Sequence, residues 1–179
     1  MNIILTGYRC SGKTSIGKIL ASKLGIKFLD TDELIEEHEG CPIETIVSER
    51  GWDHFREIER ITIKEASRDD NLVIATGGGA VMDEKNVENL KKNGWVVWLK
   101  GEKEVLRKRM HRDQRSGKSR PSLTEEDALE EIGRVLQERA PFYERAKDLT
   151  VDGSLLSEEE VAGLIIKGLP KKPEETGQY

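Results

Sequence analysis

The first residues with a recognisable chemistry form a glycine-rich loop near the start of the chain. Residues 7–14 match the pattern G-x-x-x-x-G-K-[ST], in the order Gly7-Tyr8-Arg9-Cys10-Ser11-Gly12-Lys13-Thr14. Glycines in such a loop let backbone N–H groups converge on one point, and the helix that follows adds the partial positive charge of its N-terminus. Lys13 would then contact the β- and γ-phosphates of a nucleotide, while the Thr14 hydroxyl would bind Mg²⁺. The alternative is a glycine-rich turn that only caps a helix, but the position between an apolar run and an amphipathic stretch favours nucleotide binding.

Two carboxylates follow the second apolar run, at Asp30 and Asp32. The carboxyl end of a strand is where ligands bind in open α/β sheets, so both acids are candidates for a site. One could hold Mg²⁺, directly or through water, while the other faces an attacking hydroxyl. The simpler interpretation is that either acid caps the helix beginning near Glu33. The third apolar run ends in Ala75-Thr76 and supplies no acid for a metal, which favours a functional role for at least one of the pair.

Arginines recur at two further positions. Arg56 and Glu59 lie one helical turn apart and can form one polar surface, although such pairs are usually exposed salt bridges. Arg139 precedes Pro141, which we expect to break a long helix, so Arg139 could equally be an exposed cation at a helix end. Because a guanidinium pairs bidentately with a carboxylate, two such groups in one site would indicate an anionic substrate.

A glycine triplet, residues 77–79, follows the third apolar run. Glycines let the backbone approach a ligand closely, but a plain tight turn is an equally good interpretation. Residues 112–122 contain almost no apolar side chain, so we expect a mobile loop that can act as a lid over about residues 112–123. Basic residues cluster between Arg107 and Arg120. They indicate a functional role only if other features place this segment at a site, because a solvated helix face would also be basic.

These residues are embedded in short apolar runs that alternate with amphipathic stretches. The alternation predicts βαβ units and therefore an α/β fold with a parallel sheet covered on both faces. We predict five strands, at residues 2–6, 27–30, 72–75, 95–99 and 149–151. Residues 32–68 are helical in pattern but interrupted at residues 40–42 and at Gly51, which indicates a helical insertion. One domain over residues 1–169 is expected, with a disordered tail at residues 170–179.

The bulk composition excludes several classes of protein. The 179 residues contain no apolar run of membrane-spanning length and no signal peptide. A net charge of −5 argues against general nucleic-acid binding, which depends on a basic surface. The two cysteines, Cys10 and Cys41, are too few for a disulfide framework and favour a reducing compartment, so we expect a cytoplasmic protein without nucleic-acid or membrane partners.

Taken together, the motifs resemble those of shikimate kinases over about residues 1–168. Six of them stand in the family's order and spacing: Gly7-x4-Gly12-Lys13-Thr14, Asp30-Thr31-Asp32, Phe55-Arg56-x-x-Glu59, Gly77-Gly78-Gly79, Arg120-Pro121 and Arg139-x-Pro141-x-Tyr143. The resemblance implies transfer of the ATP γ-phosphate to the 3-hydroxyl of shikimate, in the chorismate route to aromatic amino acids. It also implies a three-layer αβα P-loop kinase fold, with a five-stranded parallel sheet in the order 2-3-1-4-5. We separately expect the protein to be a monomer.

The same resemblance implies roles for individual residues. Asp32 would bind the substrate hydroxyls near the attacking one, Asp30 would hold Mg²⁺ through water, and Glu59 would orient Arg56. Arg120 would close over the transferring phosphoryl group as a lid arginine. Lys13, Asp32 and Arg120 are thus the predicted catalytic residues, and Thr14 and Asp30 the predicted metal site. The remaining predicted contacts are Arg56, Gly78, Gly79 and Arg139 for shikimate, and Cys10, Ser11, Gly12, Lys13, Thr14, Ser15, Arg109 and Arg120 for ATP.

Two departures from the family pattern leave alternatives open. Many family members have Arg-Pro-Leu-Leu where this chain has Ser122 after Arg120-Pro121, and the predicted lid carries extra basic residues, so Arg115 or Lys118 could share the work of Arg120. Arg109 is the candidate for stacking on adenine, with Arg107 close behind. A gluconate or nucleoside monophosphate kinase would share the loop and lid, and a regulatory module that binds ATP without turnover is a third possibility.

Overall fold

A five-stranded parallel sheet forms the centre of the computed structural model, which describes residues 1–115 and 128–170. The strand order is β2-β3-β1-β4-β5, as predicted. The first three apolar runs form strands with the predicted bounds. Strands β4 and β5 extend slightly further than predicted. The strands are β1 (Asn2–Thr6), β2 (Lys27–Asp30), β3 (Leu72–Ala75), β4 (Gly94–Lys100) and β5 (Leu149–Asp152).

The described residues also form seven α-helices and one short 3₁₀ turn, Ala80–Met82. Most connect consecutive strands, as the short apolar runs separated by amphipathic stretches predicted. The helices are α1 (Lys13–Leu24), α2 (Thr31–Glu39), α3 (Ile43–Ala66), α4 (Glu84–Lys92), α5 (Lys103–Arg115), α6 (Ala128–Ala146) and α7 (Glu158–Gly168).

Helices cover both faces of the sheet, which makes the three-layer architecture that the alternation predicted. Alternate residues of β1 point to opposite faces, so Ile3 and Leu5 pack with α1 and α7, whereas Ile4 packs with α3, α4 and α6. Both faces are therefore apolar, as expected for strands buried on two sides. The result is two cores, one on each side of a rigid sheet.

The register of the strands brings the polar segments of the site to one edge. Leu5 of β1 and Asp30 of β2 are both paired with Ala75 of β3. The segments that leave these three strands therefore start side by side: the loop at residues 7–12, the acids Asp30 and Asp32, and the glycine triplet at residues 77–79.

The region predicted as a helical insertion consists of α2 and α3. Gly40, in the left-handed conformation at φ 70°, ends α2, and Pro42 precedes α3. Gly51 interrupts α3 with φ 82° and ψ 168°, so two helical segments meet there at a kink. The predicted interruptions are therefore present, and a separate small apolar cluster of Ile35, Ile46 and Phe55 holds the two helices together.

Two helix boundaries differ from the prediction. Pro141 does not end its helix, because α6 continues to Ala146. Tyr143 and Ala146, beyond the proline, are almost completely buried, and this burial offsets the loss of about 3 kcal/mol that an interior proline causes. Residues 112–115, the start of the predicted lid, belong to α5, where good helix formers such as Arg and Gln extend the helix beyond its apolar positions.

Within residues 1–115 and 128–170, no helix combines the length and the apolar character needed to cross a membrane. The rest of the predicted lid, at residues 116–123, and nearly all of the predicted tail lie outside the described residues.

Candidate active site

The loop at residues 7–12 curls around the side chain of Lys13. Lys13 is 8% exposed, and its ammonium donates to the carbonyls of Gly7 at 3.0 Å and Tyr8 at 2.9 Å. Cys10 adopts the left-handed conformation at φ 60°, which is uncommon for a residue with a side chain. This turn reverses the chain direction just before α1 begins, so the loop, the helix N-terminus and a buried cation form one positively polarised pocket.

Asp30 makes two contacts, one for each carboxylate oxygen. Oδ1 accepts from the Asp32 N–H at 3.0 Å and so caps α2, while Oδ2 accepts from the Thr14 hydroxyl at 2.7 Å. The capping interpretation of the sequence is therefore correct for Asp30. The second contact also places the two residues predicted to bind the metal side by side.

These oxygen ligands suit Mg²⁺. Mg²⁺ prefers hard oxygen donors, keeps several waters and takes only one or two groups from the protein beside substrate phosphates. A hydroxyl and a 7% exposed carboxylate next to a phosphate-binding loop meet that requirement. Thr14 and Asp30 would hold the ion, which would neutralise charge on the phosphates.

Asp32 and Glu59 approach the same glycine from two helices. A Cβ atom built on Gly77 would lie 2.8 Å from Oδ1 of Asp32 and 2.8 Å from Oε1 of Glu59. Any side chain there would push both carboxylates aside, so position 77 needs glycine for close approach. Sequence reasoning predicted functions for Gly78 and Gly79 but not for Gly77.

Arg56 and Glu59 form a partly buried ion pair. Nη1 of Arg56 donates to Oε2 of Glu59 at 2.7 Å, and Glu59 is 1% exposed, so this is not the exposed salt bridge that the spacing alone suggested. Burial raises the pKa of Glu59, and the nearby Arg56 guanidinium only partly opposes that rise. Gly79 lies directly against the guanidinium, because a Cβ there would be 2.5 Å from Nη2 of Arg56.

Arg139 reaches the glycine triplet from α6. Its Nη1 donates to the Gly78 carbonyl at 3.1 Å, and the same carbonyl accepts from the Tyr143 hydroxyl at 2.5 Å. Burial raises the pKa of Tyr143 to about 12, so the hydroxyl keeps its proton at neutral pH. Arg139 is therefore not an exposed cation at a helix end, which was the alternative to a binding role: it lies within α6 and lines the site.

An open cleft collects these groups beside the phosphate loop. Asp32, Arg56 and Arg139 all line it, as do Gly78 and Gly79, so the structure brings together every predicted substrate-binding residue. The full lining is Tyr8, Arg9, Asp32, Ile43, Trp52, Phe55, Arg56, Glu59, Gly77, Gly78, Gly79 and Arg139.

Arg9 is a third guanidinium of the cleft, and the sequence analysis gave it no role. Its Nη2 lies 3.2 Å from Oε1 of Glu131, which is 2% exposed on α6. A basic residue inside the loop motif was the signal available for it. Because Arg56 is paired with Glu59 and Arg9 with Glu131, Arg139 is the cleft arginine without an acidic partner within ion-pair distance in the described part of the chain.

The aromatic wall of the cleft was also missed. Trp52 is 39% exposed, and the Arg56 guanidinium carbon lies 5.5 Å from the centre of its ring. An amphipathic wall of this kind can cover the apolar side of a small ring while arginines bind its charge.

The residues predicted for ATP that the structure describes lie outside the lining of the cleft. Arg109 donates to the Gly153 carbonyl at 2.9 Å, in the segment after β5, whereas Arg107 lies 3.3 Å from Glu104. The Cys10 thiol lies 3.4 Å from Oδ2 of Asp113 on α5. Ser11 is buried and Ser15 is exposed on α1. Arg120 lies outside the described residues, as does Lys118.

Comparison with known proteins gives a consistent result. The family model for shikimate kinase matches residues 9–170. The shikimate kinase of Syntrophus aciditrophicus is 42% identical over 174 residues, covering 93% of this chain and 89% of the relative. That of Caldanaerobacter subterraneus is 41% identical over 170 residues, covering 95% of this chain and 96% of the relative. Among solved structures, the shikimate kinase of Acinetobacter baumannii in complex with shikimate superposes with a TM-score of 0.86 at 34% identity, covering 93% of this chain and 90% of that one.

Proposed function

Because the chain belongs to the shikimate kinase family, we propose that it transfers the γ-phosphoryl group of ATP to the 3-hydroxyl of shikimate. The products are shikimate 3-phosphate and ADP, in the biosynthesis of aromatic amino acids. The enzyme is an ATP-dependent phosphotransferase with an alcohol acceptor.

One arrangement supports this function above the others: the glycine triplet lies beside the phosphate loop. A Cβ built on Gly78 would be in van der Waals contact, at 3.4 Å, with both the Arg9 nitrogen and the Gly7 oxygen. An acceptor bound at Gly78 therefore lies next to a γ-phosphate bound in the loop. Phosphoryl transfer depends mostly on such positioning and on charge stabilisation, because the protein performs little covalent chemistry itself.

We infer that the acceptor's carboxylate binds Arg139 and Arg56. Arg139 donates one N–H to Gly78 and keeps other donors of its planar fork for a ligand. Arg56 is held in place by Glu59, and its positive charge is partly neutralised there. Arg139 is therefore expected to supply the larger share of the attraction for an organic anion.

Asp32 would face the attacking hydroxyl. It is 6% exposed in the first turn of α2, and its Oδ1 lies against Gly77, where a Cβ would be only 2.8 Å away. From there its carboxylate can accept a hydrogen bond from the hydroxyl and orient it toward the γ-phosphorus. Retention of most of kcat in Asp32→Asn would identify it as a positioning group, whereas a large loss would identify it as the proton acceptor.

The remaining roles follow from the family. Lys13 and the loop around it would bind the triphosphate, Thr14 and Asp30 would hold Mg²⁺, and Arg109, next to the segment after β5, would stack on adenine. Arg120 would stabilise the transferring phosphoryl group. We further propose a monomeric, cytoplasmic enzyme whose partners are ATP and shikimate. Nucleic acid is not among the proposed partners, because a net charge of −5 gives no basis for binding it.

An ADP-release assay with four acceptors tests the proposal. Shikimate, quinate, gluconate and AMP are each offered with Mg-ATP, and turnover is expected with shikimate far above the others. Lys13→Ala should abolish that turnover with an unchanged circular dichroism spectrum, while Lys18→Ala, an exposed lysine of the same helix, should leave it intact. Preference for gluconate or AMP would replace shikimate by another metabolite, and ATP binding without turnover on any acceptor would indicate a regulatory module.

A further inference from the structure

Tyr143 is a completely buried polar residue for which the proposed reaction has no direct use. Its side chain is 0% exposed, and its ring stacks on Trp98 with centroids 5.4 Å apart and an interplanar angle of 19°. A phenylalanine would fill the same core position. The hydroxyl nevertheless leaves the apolar cluster and donates to the Gly78 carbonyl in the cleft at 2.5 Å.

The Gly78 carbonyl is held from two sides. Arg139 and Tyr143 lie one helical turn apart on α6, and both donate to this one oxygen. A carbonyl oxygen has two lone pairs, so both of its acceptor positions are used by the protein and none is left for a ligand. These two hydrogen bonds, from Arg139 and Tyr143, form a clamp on the Gly78 carbonyl. In a planar trans peptide the Gly79 N–H points the opposite way from this carbonyl, so the clamp also fixes the direction of the Gly79 N–H.

The clamp has a further effect through Gly79. This residue has no Cβ, and its Cα lies against the Arg56 guanidinium, so a movement of the turn would displace Arg56. Gly77, on the other side, lies between Asp32 and Glu59. The conformation of the glycine triplet thus sets the positions of three charged side chains of the cleft, Asp32, Arg56 and Glu59. Because glycines are flexible, the triplet needs external contacts to hold one conformation.

We propose that Tyr143 is a positioning residue for the organic acid substrate: its hydroxyl fixes the Gly77–Gly79 turn, and through it the carboxylate-binding arginines. This inference rests on the proposed function. An alternative role is purely structural, in which the buried hydroxyl only needs some acceptor. A preorganised turn lowers the cost of binding shikimate, so loss of the hydroxyl should weaken shikimate binding selectively. A structural role predicts lower stability with unchanged kinetic constants.

The test compares Tyr143→Phe with a control, Ser67→Ala. Ser67 lies at the C-terminal end of α3, outside the cleft, and its hydroxyl donates to the Ile63 carbonyl at 2.7 Å. Tyr143→Phe should raise KM for shikimate about tenfold, with kcat and KM for ATP within about twofold. Ser67→Ala should change none of the three. An unchanged KM for shikimate in Tyr143→Phe, or a parallel rise of KM for ATP, would overturn the proposal. Wild-type enzyme in the same assay tests shikimate turnover itself, so failure of the proposed function is seen separately.

A measurement on wild-type protein covers the case in which Tyr143→Phe does not fold. Amide hydrogen exchange by NMR should show the Ala80 N–H, which donates to the Gly77 carbonyl across the turn at 3.1 Å, protected before shikimate is added, because the turn is already fixed. Exchange as fast as in an exposed loop would show that the clamp does not hold the turn, and the inference would be wrong.

Discussion

The hydroxyl of Thr14 donates to Oδ2 of Asp30 at 2.7 Å and so joins the phosphate loop to the end of β2. The two residues come from the first helix and the second strand, and each is predicted to bind Mg²⁺. Since Asp30 also caps α2 through Oδ1, one oxygen has a structural role while the other contacts the second predicted metal ligand.

Asp30→Asn separates the cap from the predicted metal contact. Asparagine caps helices as well as aspartate does, so the free energy of unfolding should change by less than about 1 kcal/mol. The loss of negative charge should weaken the apparent affinity for Mg²⁺ about tenfold or more, measured as the Mg²⁺ dependence of kcat/KM. Asp83→Asn is the matched control, because Asp83 caps α4 by accepting from the Lys85 N–H. Equal Mg²⁺ dependence in the two variants would argue against Asp30 as a metal ligand.

Gly79→Ala tests the close approach to Arg56. The new methyl group would have to displace a guanidinium nitrogen only 2.5 Å away. A displacement of this size should lower kcat/KM for shikimate roughly 10- to 100-fold while KM for ATP stays unchanged. Gly163→Ala serves as the control, since a Cβ there meets no atom within 4 Å and alanine in a helix should stabilise the protein by up to about 1 kcal/mol. Unchanged shikimate kinetics in Gly79→Ala would mean that Arg56 does not need its present position.

Arg139→Lys keeps the positive charge but removes the planar fork. Because lysine has a single ammonium group, it cannot bind the substrate carboxylate bidentately while also donating to the Gly78 carbonyl. KM for shikimate should therefore rise about 10- to 100-fold. Arg145→Lys, an exposed arginine of the same helix that contacts Glu84, should behave as wild type. A lysine variant with full affinity for shikimate would place the carboxylate elsewhere.

Glu59 should make stability depend on pH in the direction opposite to an ordinary ion-paired carboxylate. Burial raises the pKa of Glu59 above its usual 4.5, so the folded protein binds the proton more tightly than the unfolded chain. Its contribution to stability is therefore fully present below pH 4.5 and is lost as the pH rises through the raised value. Urea unfolding of wild type and Glu59→Gln should show the wild type losing stability relative to the variant as the pH rises above 4.5. Glu57→Gln, on the exposed side of α3, leaves Glu59 in place and should follow the wild type. A difference between wild type and Glu59→Gln that stays constant with pH would contradict the prediction.

Tyr143 should act in the same direction at alkaline pH. Its pKa rises from 10.0 to about 12 because the side chain is buried, so the unfolded chain loses this proton first. Stability from the neutral phenol is present below pH 10 and is lost as the pH rises toward 12, by up to about 3 kcal/mol. The difference in unfolding free energy between wild type and Tyr143→Phe should therefore shrink or reverse over that range, while the difference for Ser67→Ala stays constant. A constant difference for Tyr143→Phe would show that the hydroxyl ionises as freely in the folded state.

Much of the architecture could be read from local patterns. The first three strands have their predicted bounds, and helices lie between the strands where the amphipathic stretches were predicted. These features depend on the periodicity of neighbouring residues, which a sequence displays directly. The glycine-rich loop was equally readable, because its chemistry requires residues that are adjacent in the chain.

The sequence by itself determined the elements, the phosphate loop and the residue types of the site. Tertiary structure alone decided which partners those residues have. It made Gly77 a contact of Asp32 and Glu59, placed Arg9 against Glu131, and directed the Tyr143 hydroxyl to Gly78. It also carried α6 through Pro141, since core burial beyond a proline outweighs a local preference to stop. The physical reason is that these contacts join residues distant in the chain, and their geometry depends on how two cores pack against one sheet.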